Sequence, residues 1–321
     1  MPNWNEVLEE MNLSMRVDKL DYVRSKYIKK YQEKTGRNVI CYYSGFLQKQ
    51  GVQGTEIDDN DKNGIMTCIA GLDKSKGLDL FLHTPGGGVA ATESLVDYLR
   101  KIFGNNIRAV IPQLAMSAGT MISCSCDEII MGKQSNLGPI DPQFNGIAAQ
   151  GVLSEFERAI SEAKTNPSSI PFWQTIISKY NPTFIGECQS AVKLSEELVK
   201  EWLVTGMFRN QSDKEVLANR VLALINSHDG TKTHSRHLHI DELEQAGLYI
   251  KSIEDDFDDE YQDLLLTIHH CFMHTFLQSS SIKIIENHNE QRMVMHLSPQ
   301  QKVMPIDIKQ MIPNPVEDGG K

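Results

Sequence analysis

A short apolar strand that runs directly into a proline and three glycines constrains this chain more than any other feature. The run Leu80-Phe81-Leu82 is followed by His83-Thr84-Pro85 and then by Gly86-Gly87-Gly88, after which a helical pattern begins at Val89. Glycine lets a backbone N–H approach a ligand without an intervening side chain. No G-K-[ST] or G-x-G-x-x-G follows, which excludes a P-loop and a dinucleotide fingerprint. A tight turn or an oxyanion hole remains.

A second strand ends in a loop of small residues about thirty positions later. The segment Pro112–Thr120 places Ser117 between Met116 and Ala118, ahead of a helical stretch. A serine at such a turn can present its hydroxyl at a helix N-terminus as a nucleophile, although a simple N-cap serine has the same pattern. The first glycine of a G-x-S-x-G elbow is missing, which argues against an α/β-hydrolase.

The chain around these loops alternates between strand and helix patterns. Short apolar runs predict strands at 39–43, 78–82, 107–111 and 128–131, with an amphipathic helix at 89–103, which is typical of a parallel, layered α/β core.

Four further segments lie outside this alternation. Residues 4–33 have helical periodicity and predict an N-terminal arm that caps its own core or reaches a neighbouring subunit, and residues 151–226 are almost wholly helical. One more helix follows the acids at 255–260. The chain from about Gln278, with its prolines, is predicted to be irregular.

Charge and cysteine content exclude several classes of protein. The 32 basic and 42 acidic residues give a net charge of −10, which disfavours nucleic-acid binding. The six cysteines have no paired metal spacing and no apolar leader follows Met1, so we expect reduced thiols in a cytoplasmic chain. The longest apolar stretch, Leu264–Phe276, contains three histidines and is shorter than a membrane span.

The two loops, together with a third motif, resemble a known family. The motifs Thr84–Gly87, Ala115–Thr120 and Asn136–Gln143 are similar to those of the serine dehydrogenase proteinase family. That family belongs to the Clp protease and crotonase superfamily, with signal peptide peptidase A among its relatives. The resemblance covers roughly residues 38–255.

The resemblance implies a fold class and part of a site. The fold is expected to be α/β, a Clp protease/crotonase-like ββα superhelix with the N-terminal helical arm and the helical insertion. Ser117 would be the nucleophile, and backbone N–H groups of Gly86, Gly87 and Ala118 would form the oxyanion hole. No cofactor and no metal are implied, and relatives assemble into oligomers.

The chain then divides into three parts. An N-terminal helical arm covers residues 1–37, and the Clp/crotonase-like peptidase domain covers 38–255 with its insertion at about 151–226. A C-terminal helix and irregular tail cover 256–321.

The sequence alone does not decide which residue is the general base. Clp subunits supply a histidine about two dozen residues after the serine, but Ile140 or Asp141 occupies that place here. Relatives similar to signal peptide peptidase A use a later lysine, and the later candidates here are Lys232 and His234. Imidazole starts nearer to neutral pH than an amine, which favours His234. Asp141 is a candidate for orienting the base or for fixing a turn. His83 is expected to end its strand with a backbone hydrogen bond.

The resulting hypothesis is a soluble serine peptidase that hydrolyses peptides or unfolded proteins as a homo-oligomer. One alternative keeps the fold in a catalytically inactive assembly or regulatory subunit, because the triad histidine is missing. The other is a crotonase-like acyl-thioester enzyme, for which the sequence offers no persuasive coenzyme A pocket.

Overall fold

The computed structural model describes residues 4–144, 146–226 and 236–297. Over these residues the chain forms a seven-stranded sheet with the order β11-β10-β1-β2-β3-β5-β9, and two small two-stranded sheets, β4-β6 and β7-β8. The strands are β1 Asn38–Ser44, β2 Leu78–His83, β3 Ile107–Ile111, β4 Leu114–Ala115, β5 Glu128–Met131, β6 Asn136–Leu137, β7 Gln143–Phe144, β8 Ile147–Ala148, β9 Ile250–Ser252, β10 Ser281–Asn287 and β11 Arg292–His296. The helices are α1 Trp4–Leu13, α2 Lys19–Thr35, α3 Asp61–Ile69, α4 Val89–Phe103, α5 Ala118–Cys124, α6 Ala149–Thr165, α7 Ile170–Ile177, α8 Phe184–Thr205, α9 Lys214–Ile225, α10 Ile240–Ala246 and α11 Asp259–Gln278.

The centre of the large sheet is parallel, as the strand and helix alternation predicts. Strands β1, β2, β3, β5 and β9 pair in parallel, with Ile40 opposite Leu80 and Phe81 opposite Val110. Helix α4 has the predicted bounds and buries the stripe Leu95, Val96 and Leu99. An amphipathic helix between two buried strands returns the chain to the start of the next parallel strand. The expected mixed α/β fold is confirmed.

Both faces of the sheet are covered, which explains why its strands read as continuous apolar runs. In β1, Ile40 and Tyr42 belong to one core cluster, with side chains of α4, α5, α8 and α9. The alternate residues, including Cys41 and Tyr43, belong to a second cluster with α2 and α11. All seven residues of β1 are buried. The period-2 alternation thus divides one strand between two cores.

The N-terminal arm caps its own core, one of the two predicted alternatives. It consists of two helices, and α2 buries Val23, Ile28 and Tyr31. Arg24 of α2 is fully buried and its Nε lies 2.6 Å from Glu286 Oε2 of β10, which is also fully buried. The arm is therefore joined to the sheet by a buried ion pair as well as by apolar packing.

The prediction of an irregular chain from about Gln278 is wrong for residues 281–296. Strand β10 pairs antiparallel with β1, and β11 pairs with β10. The sequence of β10 does not look like a buried strand because it contains polar residues. Three of them, Lys283, Glu286 and Asn287, are nevertheless fully buried. Their polarity is typical of a surface segment, but each side chain has a hydrogen-bond partner inside the protein, which allows it to lie in the core.

The helical insertion forms as predicted, as α6, α7, α8 and α9. After the insertion, Leu238 forms a single bridge with Leu137, and α10 begins at Ile240. Within the described ranges, no helix has the length and apolar character needed to cross a bilayer.

Candidate active site

The two loops singled out in the sequence lie side by side, beyond the carboxyl ends of β2 and β3. Thr84 and Ala115 form a parallel bridge. The Thr84 N–H donates to the Leu114 carbonyl at 3.1 Å, and the Met116 N–H donates to the Thr84 carbonyl at 3.0 Å. These bonds continue the pairing of β2 with β3 past the main sheet. They fix the glycine loop against the serine loop.

Ser117 occupies a backbone conformation that side chains rarely adopt. Its φ is +51° and its ψ is −113°, directly before the first turn of α5. Non-glycine residues at positive φ are uncommon, and such strain is concentrated at functional sites. Ser117 occupies the N-cap position of α5, as one of the two interpretations predicts, but its side chain makes no capping hydrogen bond to this helix. Its half-buried hydroxyl is available to a ligand.

Gly86 allows the two loops to approach closely. Its φ is +104°, and a Cβ at this position would lie 2.6 Å from the Ser117 Cβ and 2.9 Å from the Met116 carbonyl oxygen. Its own N–H donates to Thr84 Oγ1 at 3.1 Å. The Gly86 N–H, one of the predicted oxyanion donors, is therefore already occupied.

Gly87 is held on one side by Ile57, which forms an isolated parallel bridge with it. The Ile57 N–H donates to the Gly86 carbonyl at 2.7 Å, and the Gly88 N–H donates to the Ile57 carbonyl at 3.0 Å. A Cβ on Gly87 would lie 2.3 Å from backbone atoms of Ile57. Because both bonds fall on the neighbours of Gly87, its own N–H is directed to the other side of the loop.

Two backbone donors are thus left beside the serine. Across residues 4–144, 146–226 and 236–297, no acceptor is found for the N–H of Gly87 or for that of Ala118. Paired free N–H groups next to a nucleophile can hold the negative oxygen of a tetrahedral intermediate.

A cavity of about 480 Å³ opens over this arrangement. Its size falls within the range of small-ligand sites. Among the described residues that line it, Glu56 alone is ionisable. The lining residues are Glu56, Pro85, Gly86, Gly87, Gly88, Val89, Ser117, Met121, Ile140, Pro142, Gln143, Phe144 and Ala191. The walls beside Ser117 are therefore largely apolar, with one carboxylate.

The helical insertion contributes one wall of this cavity. Ala191 belongs to α8, and Phe144 packs in a small apolar cluster with Val152 of α6 and Cys188 of α8. The insertion therefore reaches the cavity that contains Ser117.

Asp141 lies between two lining residues but does not itself line the cavity. Its side chain is buried and accepts a hydrogen bond from Gln143 Nε2 at 3.0 Å. The other two predicted base candidates, Lys232 and His234, lie outside the described residues. Described residues near both ends of the segment that contains them bond close to Asp141 in the sequence: the Ile140 N–H donates to the Ile225 carbonyl at 2.9 Å, and Leu238 bridges Leu137 of β6.

His83 is buried at the end of β2 as expected, but the expected hydrogen bond is missing. Within the described part of the chain, neither ring nitrogen has a hydrogen-bond partner. Burial lowers the pKa of His83 to about 3; the Leu114 carbonyl opposes this shift without reaching hydrogen-bond geometry. The ring packs against Phe46 and against His269 of α11. His83 is thus a neutral core residue.

The sequence pattern does not indicate the residues that hold the glycine loop in place. Ile57 is one isoleucine in a polar loop, and no pattern marks its pairing with Gly87. Lys283, which contacts the same loop, lies in the segment predicted to be irregular. Only the pairing of β10 with β1 brings Lys283 to this position.

The sequence of this chain is similar to a protein family and to several known proteins. A family model described as "ClpP-like SDH-type serine proteinase" matches residues 8–285. An uncharacterized protein of Methanocaldococcus jannaschii is 26% identical over 251 residues, which is 77% of this chain and 76% of that protein. A second protein of the same organism, also uncharacterized, is 37% identical over 98 residues, or 30% of this chain and 34% of its own length. An ATP-dependent Clp protease proteolytic subunit of Streptococcus agalactiae is 31% identical over 99 residues, covering 29% of this chain and 50% of that subunit.

Proposed function

Because this chain belongs to the family of ClpP-like SDH-type serine proteinases, we propose that it hydrolyses peptide bonds with Ser117 as the nucleophile. The observation that carries the proposal is the strained Ser117 in a cavity beside two backbone N–H groups that have no acceptor among the described residues. Family membership also favours peptide hydrolysis over the acyl-thioester chemistry of crotonases.

In the proposed reaction, the Ser117 hydroxyl oxygen attacks the carbonyl carbon of the substrate while its proton passes to the general base. The carbonyl oxygen becomes an oxyanion, which the N–H groups of Gly87 and Ala118 stabilise. Collapse of this intermediate releases the amine, which takes the proton from the base, and water then hydrolyses the acyl-enzyme. Gly86 contributes by its close approach to Ser117, since its own N–H is bound to Thr84.

The general base is proposed to be His234 or Lys232, with Asp141 as the group that orients it. Support comes from Ile225 and Leu238, which flank these candidates in the sequence and bond to Ile140 and to Leu137, one and four residues before Asp141. An imidazole is closer to the required pKa than an amine, so His234 is the first choice.

The substrates are proposed to be peptides or unfolded chains, and the active form a homo-oligomer. Restricted access is supported by the wall that Phe144 and the insertion form on the cavity. Self-assembly is supported by large apolar side chains that the insertion leaves exposed, with Phe172 61% exposed and Ile160 57% exposed, because burial of such side chains against a second subunit is favourable.

The test is labelling with a fluorophosphonate probe, combined with hydrolysis of unstructured peptides. Ser117→Ala should abolish both while leaving the circular dichroism spectrum and the oligomer size unchanged. Ser161→Ala, on the exposed face of α6, is the matched control and should retain both. Undiminished hydrolysis by Ser117→Ala would overturn the nucleophile assignment.

The same probe separates the peptidase from an inactive assembly subunit. Only an activated hydroxyl reacts with a fluorophosphonate, so a folded wild-type protein that resists labelling would favour the subunit. Comparing His234→Ala, Lys232→Ala and Asp141→Ala for labelling rate would then identify the base, because loss of the base should slow labelling most.

A further inference from the structure

The glycine loop is bonded to a second segment, residues 55–61, which ends with the first residue of α3 and which we call the support loop. Its Ile57 makes both backbone bonds to the residues on either side of Gly87. Any displacement of Ile57 therefore moves the Gly87 N–H. A shift of about 1 Å in a catalytic group can reduce a rate a hundredfold.

The support loop is itself held by side chains from β1 and β10. Lys283 is fully buried, and its Nζ donates to the Glu56 carbonyl at 2.6 Å, one residue before Ile57. Ser44 Oγ donates to the Thr55 carbonyl at 2.7 Å. Two successive carbonyls of the support loop thus bind side chains of neighbouring strands.

The buried charge of Lys283 is compensated inside the protein. Its Nζ lies 2.8 Å from Asp61 Oδ1 and 3.0 Å from Asp61 Oδ2. Asp61 Oδ2 also accepts the Tyr42 hydroxyl at 2.7 Å and the Asp58 N–H at 3.0 Å. Asp61 therefore joins the ammonium group to the C-terminal half of the support loop.

Apolar residues of similar volume often replace a buried ion pair without loss of stability, so stability alone does not explain this one. Its distinguishing feature is its position, because the same ammonium group binds both Asp61 and the carbonyl that precedes Ile57. An ammonium group has three donors, and here they all serve the support loop or its Asp61.

We propose that Lys283, paired with Asp61, is a positioning residue for the oxyanion hole: it holds the support loop so that Ile57 keeps the Gly87 N–H aligned with Ser117. This role rests on the proposed function. Loss of Lys283 should weaken stabilisation of the transition state more than binding of the substrate.

The primary test compares Lys283→Met with Lys49→Met in peptide hydrolysis. Lys49 Nζ also donates to a backbone carbonyl, that of Ser279 at 3.0 Å, but it does not contact the support loop, so it is the matched control. We expect Lys283→Met to lower kcat 10- to 100-fold with KM within about threefold, and Lys49→Met to leave both unchanged. The affinity of a peptide aldehyde, whose adduct with Ser117 carries the oxyanion, should fall by the same factor as kcat.

The double variant Lys283→Met/Asp61→Asn keeps the test decisive if the single variant does not fold, because it leaves no unpaired buried charge. It should show the same loss of kcat, since the Glu56 carbonyl still lacks its donor. A folded variant of either kind with wild-type kcat and aldehyde affinity would overturn the role of Lys283.

Ser117→Ala, assayed in parallel, separates the two proposals. Full hydrolysis by Ser117→Ala would refute the proposed function itself. Loss of hydrolysis by Ser117→Ala together with wild-type kcat in both Lys283 variants would refute only the positioning role.

Discussion

A methyl group on Gly86 would lie 2.6 Å from the Cβ of Ser117, closer than two carbon atoms of separate residues can approach. The glycine loop and the serine loop are therefore packed against each other at the point where the proposed chemistry occurs. Gly86 also has a φ of +104°, so a side chain there would be strained even without this contact.

Gly86→Ala should therefore reduce peptide hydrolysis at least a hundredfold, because the loops must separate and the Gly87 N–H must move. The measurement is kcat/KM on an unstructured peptide. Gly71→Ala is the matched control: its φ is +78° and a Cβ there meets no atom of the described residues within 4 Å, so it carries similar backbone strain away from the site. Equal activity in the two variants would contradict the close-packing argument.

The buried ion pair between Arg24 and Glu286 should make a large contribution to stability. Arg24→Met leaves the fully buried Glu286 carboxylate without its principal partner, which should lower the free energy of unfolding by about 3–5 kcal/mol. Urea denaturation measures this change. Arg16→Met removes the exposed Arg16–Asp18 pair and should leave the denaturation midpoint nearly unchanged. A small effect of Arg24→Met would contradict a large contribution of this ion pair to stability.

His83 should make the fold sensitive to mild acid. Its pKa is lowered by burial to about 3 in the folded protein, against 6.5 for the free side chain. Between these values the unfolded chain binds a proton that the folded chain does not, so stability falls as the pH decreases through this window. The expected loss from this group is about 2 kcal/mol at pH 5 relative to neutral pH.

His83→Phe should flatten the dependence of unfolding free energy on pH between 7 and 5 by about that amount. Urea denaturation at several pH values gives the slope for each protein, so a constant packing change caused by the phenylalanine cancels. His269, whose pKa burial also lowers, remains and should preserve part of the wild-type slope. Identical slopes in the two proteins would exclude a neutral buried His83.

The cavity walls predict discrimination against acidic substrates. Val89, Met121 and Ile140 offer apolar contacts, and Glu56 repels a carboxylate. A peptide with leucine at the residue whose carbonyl is attacked should be cleaved at least tenfold faster, in kcat/KM, than its aspartate counterpart. Glu56→Gln should speed the aspartate peptide only a few-fold, because Glu56 is exposed and its field is screened. Equal cleavage of the two peptides would contradict this assignment of the walls.

Much of the fold could be predicted from the sequence because its central strands are short, apolar and separated by amphipathic helices. The predicted helix at 89–103 matches α4, and the predicted strands correspond to β1, β2, β3 and β5. β10 was missed because Lys283 and Glu286 look like surface residues. Their partners, Asp61 and Arg24, lie more than two hundred residues away in the sequence, so local pattern carries no sign of them.

The site could be predicted in part for the same reason. Thr84–Gly88 and the segment around Ser117 are continuous motifs, and the structure brings them together as expected. The occupation of the Gly86 N–H by Thr84 and the bridge from Ile57 depend on the packing of loops, which spacing does not encode. The roles of His234, Lys232 and Asp141 stay predictions.

The position of β10 in the chain has a consequence for biosynthesis. The glycine loop and Ser117 leave the ribosome long before Lys283, which contacts the support loop from β10. A nascent chain that ends before residue 281 lacks both the strand that pairs with β1 and the ammonium group that binds the Glu56 carbonyl. The contact between Lys283 and the support loop can therefore form only after β10 has been synthesised, well after the glycine loop and the proposed nucleophile.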